Sequence, residues 1–192
     1  LCPGPWEDYE LIDTGGFEKL ERFGKFILSR PEPQAIWDKS LPDSEWKKLA
    51  HAHFAKEKNN PEKGHWQQLK SMPHNWQIQY ANSAGLKMKL NLAQTSFKHI
   101  GLFPEQAVNW DYLYQKVKTF PGKNSKVLNL FGYTGAASVA CRAAGAEVSH
   151  LDSVKQVVTW TKHNMESSGL DGIRWIVDDA MKFIKREERR GN

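Results

Sequence analysis

The chain has 192 residues, 40% of them hydrophobic and 11% aromatic with eight Trp, and a formal net charge of +5. This composition excludes a disordered chain, no apolar run reaches the roughly 18 residues of a membrane-spanning helix, and Leu1-Cys2-Pro3-Gly4 begins nothing like a secretory signal. Cys2 and Cys141 give no disulfide framework, which points to a reducing cytoplasm, and the excess of cations favours an anionic partner.

Residues 1–92 read as a small antiparallel β domain. Apolar and polar residues alternate in short runs, Tyr9–Ile12, Phe23–Leu28, Trp76–Tyr80 and Leu86–Leu90, with turn residues between them at Gly15-Gly16, Pro31-Glu32-Pro33, Asn59-Asn60-Pro61 and Asn82–Gly85. The pair 76–80 and 86–90 is the clearest hairpin. Residues 55–64, with Lys56, Glu57, Lys58, Glu62 and Lys63, read as an exposed charged loop. His51 and His53 fall on one face of an expected strand, but neither they nor His65 are accompanied by a Cys or Glu pattern suited to a metal. Trp37, Trp46, Trp66 and Trp76 interleave with Arg22, Lys25, Arg30, Lys47, Lys48 and Lys70. Such a pattern suits stacking on unpaired RNA bases, and it equally suits a small aromatic core with solvated lysines.

Residues 93–124 read as a connecting segment with one helix. Pro104 fits its first position and Glu105 its first turn, and the helix would run through Gln106, Val108, Tyr112 and Val117.

From residue 125 the pattern changes to strand and helix in alternation. The apolar run Val127–Phe131 enters the turn Gly132-Tyr133-Thr134-Gly135 and then a helix of small residues. A second run, Val148–Leu151, ends in Asp152, twenty positions after Gly132, with Ser153 next. Val154, Val157, Val158 and Thr161 keep helical spacing up to the stop at Ser167-Ser168-Gly169. A third run, Ile173–Val177, ends in Asp178-Asp179-Ala180. This order places a nucleoside pocket at the strand tips: backbone N–H groups at the turn, Asp152 for ribose hydroxyls, and Asp179 with the Ala180 N–H for an adenine edge. Asp179 equally suits an ordinary helix N-cap. The spacing G-x-x-G with Tyr133 inside it departs from the G-x-G-x-x-G that seats a pyrophosphate. A smaller carboxylate suits the turn better, so S-adenosylmethionine is favoured over NAD. The last helix carries Lys182, Lys185, Arg186, Arg189 and Arg190 together with Glu187 and Glu188, a solvated face.

Three segments together, Phe97-Lys98-His99-Ile100-Gly101-Leu102-Phe103-Pro104-Glu105-Gln106-Ala107-Val108-Asn109-Trp110, Leu128–Gly135 and Val177–Ala180, resemble the class I S-adenosylmethionine-dependent methyltransferases related to large-subunit rRNA cytosine-5 methyltransferases. The resemblance covers the last half of the chain well and the first half more loosely. It implies a Rossmann-like α/β fold with a β-rich N-terminal domain, and methyl transfer to RNA, ribosomal by expectation. It also implies that Lys98, Phe103 and Gln106 line the cofactor pocket with Phe131, Gly132, Tyr133, Thr134, Gly135, Asp152, Ser153, Asp179 and Ala180. Members of that family continue to a fourth strand ending in an Asp-Pro-Pro-type motif, whereas this chain ends at Arg189-Arg190-Gly191-Asn192. A fragment carrying the cofactor half (residues 125–192), without a catalytic residue, is the expectation, and Cys141 reads as a buried small hydrophobe. The Val127–Phe131 strand would then present an open edge, favouring self-association or pairing with a C-terminal piece. The rival readings are an NAD(P)-dependent oxidoreductase and a non-catalytic RNA-binding module.

Overall fold

The computed structural model describes residues 4–57, 60–121 and 125–191. Leu1, Cys2, Pro3, Lys58, Asn59 and Asn192, named above, lie outside the described residues, and so do the side chains of Asn60, Pro61 and Glu62. The chain divides into two compact units, one of Trp6–Gln79 with Leu92–Ile100, the other of Leu1–Pro5, Tyr80–Asn91 and Gly101–Asn192. No helix among the described residues is long and apolar enough to cross a membrane.

The first unit is built on a five-stranded sheet in sequence order, β1 (Tyr9–Gly15), β2 (Glu18–Phe23), β3 (Phe26–Pro31), β4 (Ala52–Glu57) and β5 (Asn60–Gln68). All neighbours are antiparallel except β3 and β4, which run parallel through Leu28↔Ala52 and Ser29↔His53. The antiparallel expectation therefore fails at one junction. The reason is the crossover helix α1 (Asp43–Leu49), which apolar periodicity did not reveal because Trp46 is its one buried residue. Trp46 packs with Leu20 and Ala50, and its indole N–H donates to Asp13 Oδ2 at 2.8 Å. Asp13 also accepts from the N–H groups of Thr14, Ser40 and Leu41. Burial works to raise the Asp13 pKa, but these hydrogen bonds outweigh it and hold the carboxyl below its ordinary value.

Two smaller expectations are corrected here. Lys56 and Glu57 belong to β4 and residues 60–64 to β5, so the expected loop at 55–64 is mostly a strand pair. Gly64 permits this approach, since a Cβ there would lie 2.3 Å from Ala55 O and 2.6 Å from the Phe54 ring. His51 precedes β4 instead of sharing its face with His53, and its Nδ1 accepts from Ile27 N at 3.1 Å.

The hairpin of β6 (Asn75–Ala81) and β7 (Lys87–Ala93) forms where alternation placed it, with Ile78, Tyr80, Met88, Leu90 and Leu92 buried on one face. Its turn closes with Asn82 Oδ1 accepting from Leu86 N at 2.9 Å, and Gly85 supplies φ 97°. The division between the units falls twice within this hairpin, between Gln79 and Tyr80 and between Asn91 and Leu92, and again between Ile100 and Gly101.

In the second unit a 3₁₀ turn at Pro104–Gln106 leads into α2 (Ala107–Thr119). Ala107, Trp110 and Tyr114 form the buried face of α2, so Tyr112 is exposed instead of packed. The hairpin end is locked to this helix by Asp111 Oδ1, which accepts from Tyr80 Oη at 2.7 Å and Asn82 Nδ2 at 2.6 Å. Strand and helix then alternate as β8 (Lys126–Asn129), α3 (Ala136–Ala143), β9 (Glu147–Asp152), α4 (Lys155–Ser167), β10 (Ile173–Val177) and α5 (Ala180–Arg189). The three strands are parallel in the order β10-β9-β8. Strand β8 is thus an edge of this sheet, and it stops two residues short of the expected Phe131.

Candidate cofactor site at the parallel strand tips

The three tips converge through backbone contacts. Gly132 N donates to Leu151 O at 3.0 Å, and Asp178 N donates to Asp152 O at 3.2 Å. Tyr133 N donates to Asp152 Oδ2 at 3.0 Å, and Val154 N to Asp152 Oδ1 at the same distance. The turn out of β8 is therefore tied to the end of β9 and, through it, to the end of β10.

The glycines of this turn are fixed by packing. A Cβ on Gly132 would lie 2.1 Å from the His150 ring, and one on Gly135 would lie 1.9 Å from Thr161 Cγ2. Gly135 also has φ 81°, and Tyr133 occupies the left-handed region at φ 49°. That conformation is costly for a bulky residue and persists only where neighbours hold it. Its amide is held by Asp152, and its carbonyl accepts from Thr161 Oγ1 at 2.8 Å. Thr134 Oγ1 donates to Gly101 O at 2.6 Å, and Asn164 Nδ2 donates to Thr134 O at 2.8 Å.

Beneath the turn lies His150, fully buried. Asn129 Nδ2 donates to Ser138 Oγ at 3.0 Å, and Ser138 Oγ lies 2.9 Å from His150 Nδ1. Thr161 Oγ1 donates its proton to a backbone carbonyl, so at 3.3 Å it accepts from His150 Nε2–H, and Nδ1 then accepts from Ser138 Oγ. Thr161 passes its proton to Tyr133 O. Burial pushes the His150 pKa down to about 4, against the opposing pull of Asp152 and the Tyr133 backbone. His150 is a neutral structural histidine.

A cleft of about 690 Å³ opens on the α2 side of the turn. Of the expected site residues, Phe103, Gln106, Phe131, Gly132, Tyr133, Thr134 and Gly135 line it. The Phe103 and Tyr133 rings meet at 4.9 Å, and Phe131 stands 80% exposed at the β8 tip. Sequence reasoning missed Asn109, Trp110, Tyr112, Leu113 and Asn129, which also line the cleft, as does Glu105, placed above only as a first-turn residue. The regular spacing of 105, 109, 112 and 113 along a helix could have found most of them.

Asp152, Ser153, Asp179 and Ala180 are not in that lining and instead rim the tips of β9 and β10. Asp179 is the N-cap of α5, accepting from Lys182 N at 2.9 Å. Asp178 accepts from Asp179 N and pairs with Arg186 at 2.7 Å, and this pairing holds its pKa below the ordinary value. Lys98 belongs to the other unit, where its Nζ donates to Pro31 O at 3.4 Å. Cys141 is buried in α3, and burial pushes its thiol up to about 11.

Comparison with solved structures decides the architecture. A crystal structure of the S-adenosylmethionine-dependent methyltransferase from Agrobacterium tumefaciens superposes with a TM-score of 0.87 at 41% identity, over 98% of this chain and 58% of that one. The chain has the fold of a class I S-adenosylmethionine-dependent methyltransferase. In sequence it is 39% identical over 104 residues to the ribosomal RNA large subunit methyltransferase K/L of Shewanella frigidimarina, and 36% identical over 104 residues to that of Shewanella baltica. Each match covers 53% of this chain and 14% of the relative. The chain thus spans about a seventh of these curated relatives. No family model matches it.

Two predictions test the scaffold beneath the site. Gly135→Ala should destabilise the chain by about 2–4 kcal/mol in urea unfolding, because strain at positive φ adds to the collision with Thr161. Adding Thr161→Ser, which removes Cγ2 and keeps the hydroxyl, should recover part of that loss. For His150, the folded pKa lies below the ordinary 6.5, so its contribution to stability is complete above pH 6.5 and is lost as pH falls towards 4. This amounts to about 3 kcal/mol over that window. In His150→Gln, the unfolding free energy should fall less steeply between pH 6.5 and 4 than in the parent chain.

Proposed function

We propose that this chain is the cofactor-binding part of an S-adenosylmethionine-dependent methyltransferase that acts on RNA. The observation that carries this reading is the convergence of the three tips on the Gly132–Gly135 turn, with acids at the second and third tips and a cleft of about 690 Å³ beside the first. Likeness to named S-adenosylmethionine-dependent and ribosomal RNA methyltransferases supports both the cofactor and the substrate class.

The residues present fit the cofactor. Asp152 uses one acceptor site on each oxygen for Tyr133 N and Val154 N, and a carboxylate offers about four, so acceptors remain for ribose hydroxyls. Ser153 continues that rim. Asp179 uses Oδ1 as the α5 cap, which leaves Oδ2 for an adenine amino group, with Ala180 N–H beside it. The N-terminus of α3 suits a carboxylate, with Phe103, Gln106, Phe131 and Tyr133 packing around the chain that bears it. When bound, the cofactor supplies an electrophilic methyl group on a sulfonium. The contribution of these side chains is to hold and orient it, as an in-line transfer requires. Ribosomal RNA is the substrate the curated relatives point to, and no catalytic residue is assigned in this chain. The open edge of β8 has no partner strand among the described residues, and self-association of the chain alone through that edge belongs to the same reading.

Calorimetric titration with S-adenosylhomocysteine is the direct test. Binding is expected, while NADH should give neither heat nor fluorescence enhancement. The reverse result would replace the reading with an oxidoreductase. Asp152→Asn should weaken S-adenosylhomocysteine by roughly one to two powers of ten. Light scattering should report a species larger than one chain, and a monodisperse monomer would count against pairing through β8.

A further inference from the structure

The first unit carries an excess of positive charge gathered at one place. Lys98 lies in the segment that follows β7, within reach of Lys19, Arg30 and Lys56, with Glu32 as an opposing charge. These groups are not equally compensated. Arg30 grips Glu21 through Nε at 2.9 Å and Nη2 at 2.5 Å, and both side chains are buried. Lys19 takes what remains, pairing with Glu21 at 3.6 Å and Glu32 at 3.4 Å. Lys98 and the exposed Lys56 form no ion pair among the described residues. Among the described residues four cations thus share two carboxylates, and the surplus falls on Lys56 and Lys98.

The position of Lys98 is built. Arg30 Nη1 donates to Lys98 O at 3.2 Å, and Tyr9 Oη donates to Glu21 Oε1 at 3.1 Å, so a buried chain of contacts leads to that backbone. On its other side, Thr95 Oγ1 accepts from Phe97 N at 3.1 Å and lies 2.9 Å from His99 O. The Lys98 pKa is lowered, by burial first and then by Lys19, Lys56 and Arg30, and His99 is lowered by burial and then by Lys98, Arg30 and Lys19. Cations held together against their own repulsion gain when an anion joins them. Lysine ammoniums are point charges on flexible stems, which suits a phosphate backbone better than a bidentate carboxylate contact. Phe97, adjacent in the chain and 48% exposed, offers a ring for an unpaired base. Of the four tryptophans singled out in the sequence, Trp46 is buried, and the indole N–H groups of Trp37, Trp46 and Trp66 all donate within the unit.

We propose that Lys56 and Lys98, set on the Glu21–Arg30 pair, form a phosphodiester-binding site for single-stranded RNA. This inference rests on the RNA reading above, but it concerns a different unit and has a separate readout. The test is fluorescence anisotropy of the whole chain with a labelled single-stranded oligouridylate across a salt series, alongside calorimetry with S-adenosylhomocysteine. Lys98→Gln should reduce the slope of log affinity against log salt by about 0.7 and weaken binding about five-fold near 0.1 M salt. Lys56→Gln combined with Lys98→Gln should double the change in slope, whereas Lys98→Arg should restore it. In Lys56→Gln, S-adenosylhomocysteine affinity should stay as in the parent chain. An unchanged RNA slope in Lys98→Gln, or a parent chain that does not bind the oligouridylate, overturns the site. A loss of S-adenosylhomocysteine affinity in Lys98→Gln assigns the anion to the cofactor carboxylate and overturns it as well. A parent chain that binds the oligouridylate but no S-adenosylhomocysteine removes the cofactor reading and leaves this one standing.

Discussion

The site depends on one buried contact, the imidazole of His150 filling the space that Gly132 leaves open. A side chain at residue 132 would occupy the position of that ring, and one at residue 135 would collide with Thr161. Both glycines therefore let β9 and α4 approach the turn from below. Three of the four turn amides donate to Leu151 O, Asp152 Oδ2 and Gly132 O, so what faces the strand tips is the start of α3. The ring stays neutral, because Ser138 and Thr161 satisfy one acceptor and one donor and burial outweighs the pull of Asp152 and the Tyr133 backbone towards a second proton. Tyr133 can hold its left-handed backbone only because Asp152 and Thr161 fix its amide and carbonyl. The turn is shaped before any ligand arrives.

Much of the parallel unit was legible because its signals are local. The run Ile173–Val177 is β10 without adjustment, and Asp152 closes β9 as expected. Alternation located the hairpin to within a few residues. Non-local signals were less readable. Strand β8 ends at Asn129 because Gly132 must turn back to Leu151 O, a demand made by β9 and absent from the run itself. Helix α1 shows only Trp46 to the core, so seven mostly polar residues gave no period, and without it the parallel step from β3 to β4 could not be inferred. His150 reads as one more strand residue, although the polar set of Ser138, Thr161 and Asn164 at otherwise apolar depth was a visible irregularity.

The two acids show how a structural and a binding reading coexist. Asp179 is a helix cap, as its position at the start of α5 allowed, and capping uses one of its oxygens. Asp152 anchors the turn through two backbone amides and keeps further acceptors. In each case the structural contact aims the carboxylate, because a group already bonded on one side has fewer orientations to lose when a ligand binds on the other.

Charge separates the rim from the cleft. The rim carries Asp152 and Asp179, whereas among the described residues lining the cleft Glu105 is the one ionisable acid and no lysine or arginine is present. A polyanion would find no cation there to neutralise it, so the cleft is a poor seat for a pyrophosphate or an RNA backbone. What it offers a negative group is the dipole and free amides at the start of α3, a contribution of about 0.3–1 kcal/mol that suits a single carboxylate. What it offers a positive group is Glu105 and the faces of Phe131 and Tyr112. A zwitterion with one carboxylate, an ammonium and a sulfonium matches that distribution. The uncompensated Lys56 and Lys98 lie in the other unit, so the charge of the two units differs in kind: the cleft suits a zwitterion, and the lysines suit an anion.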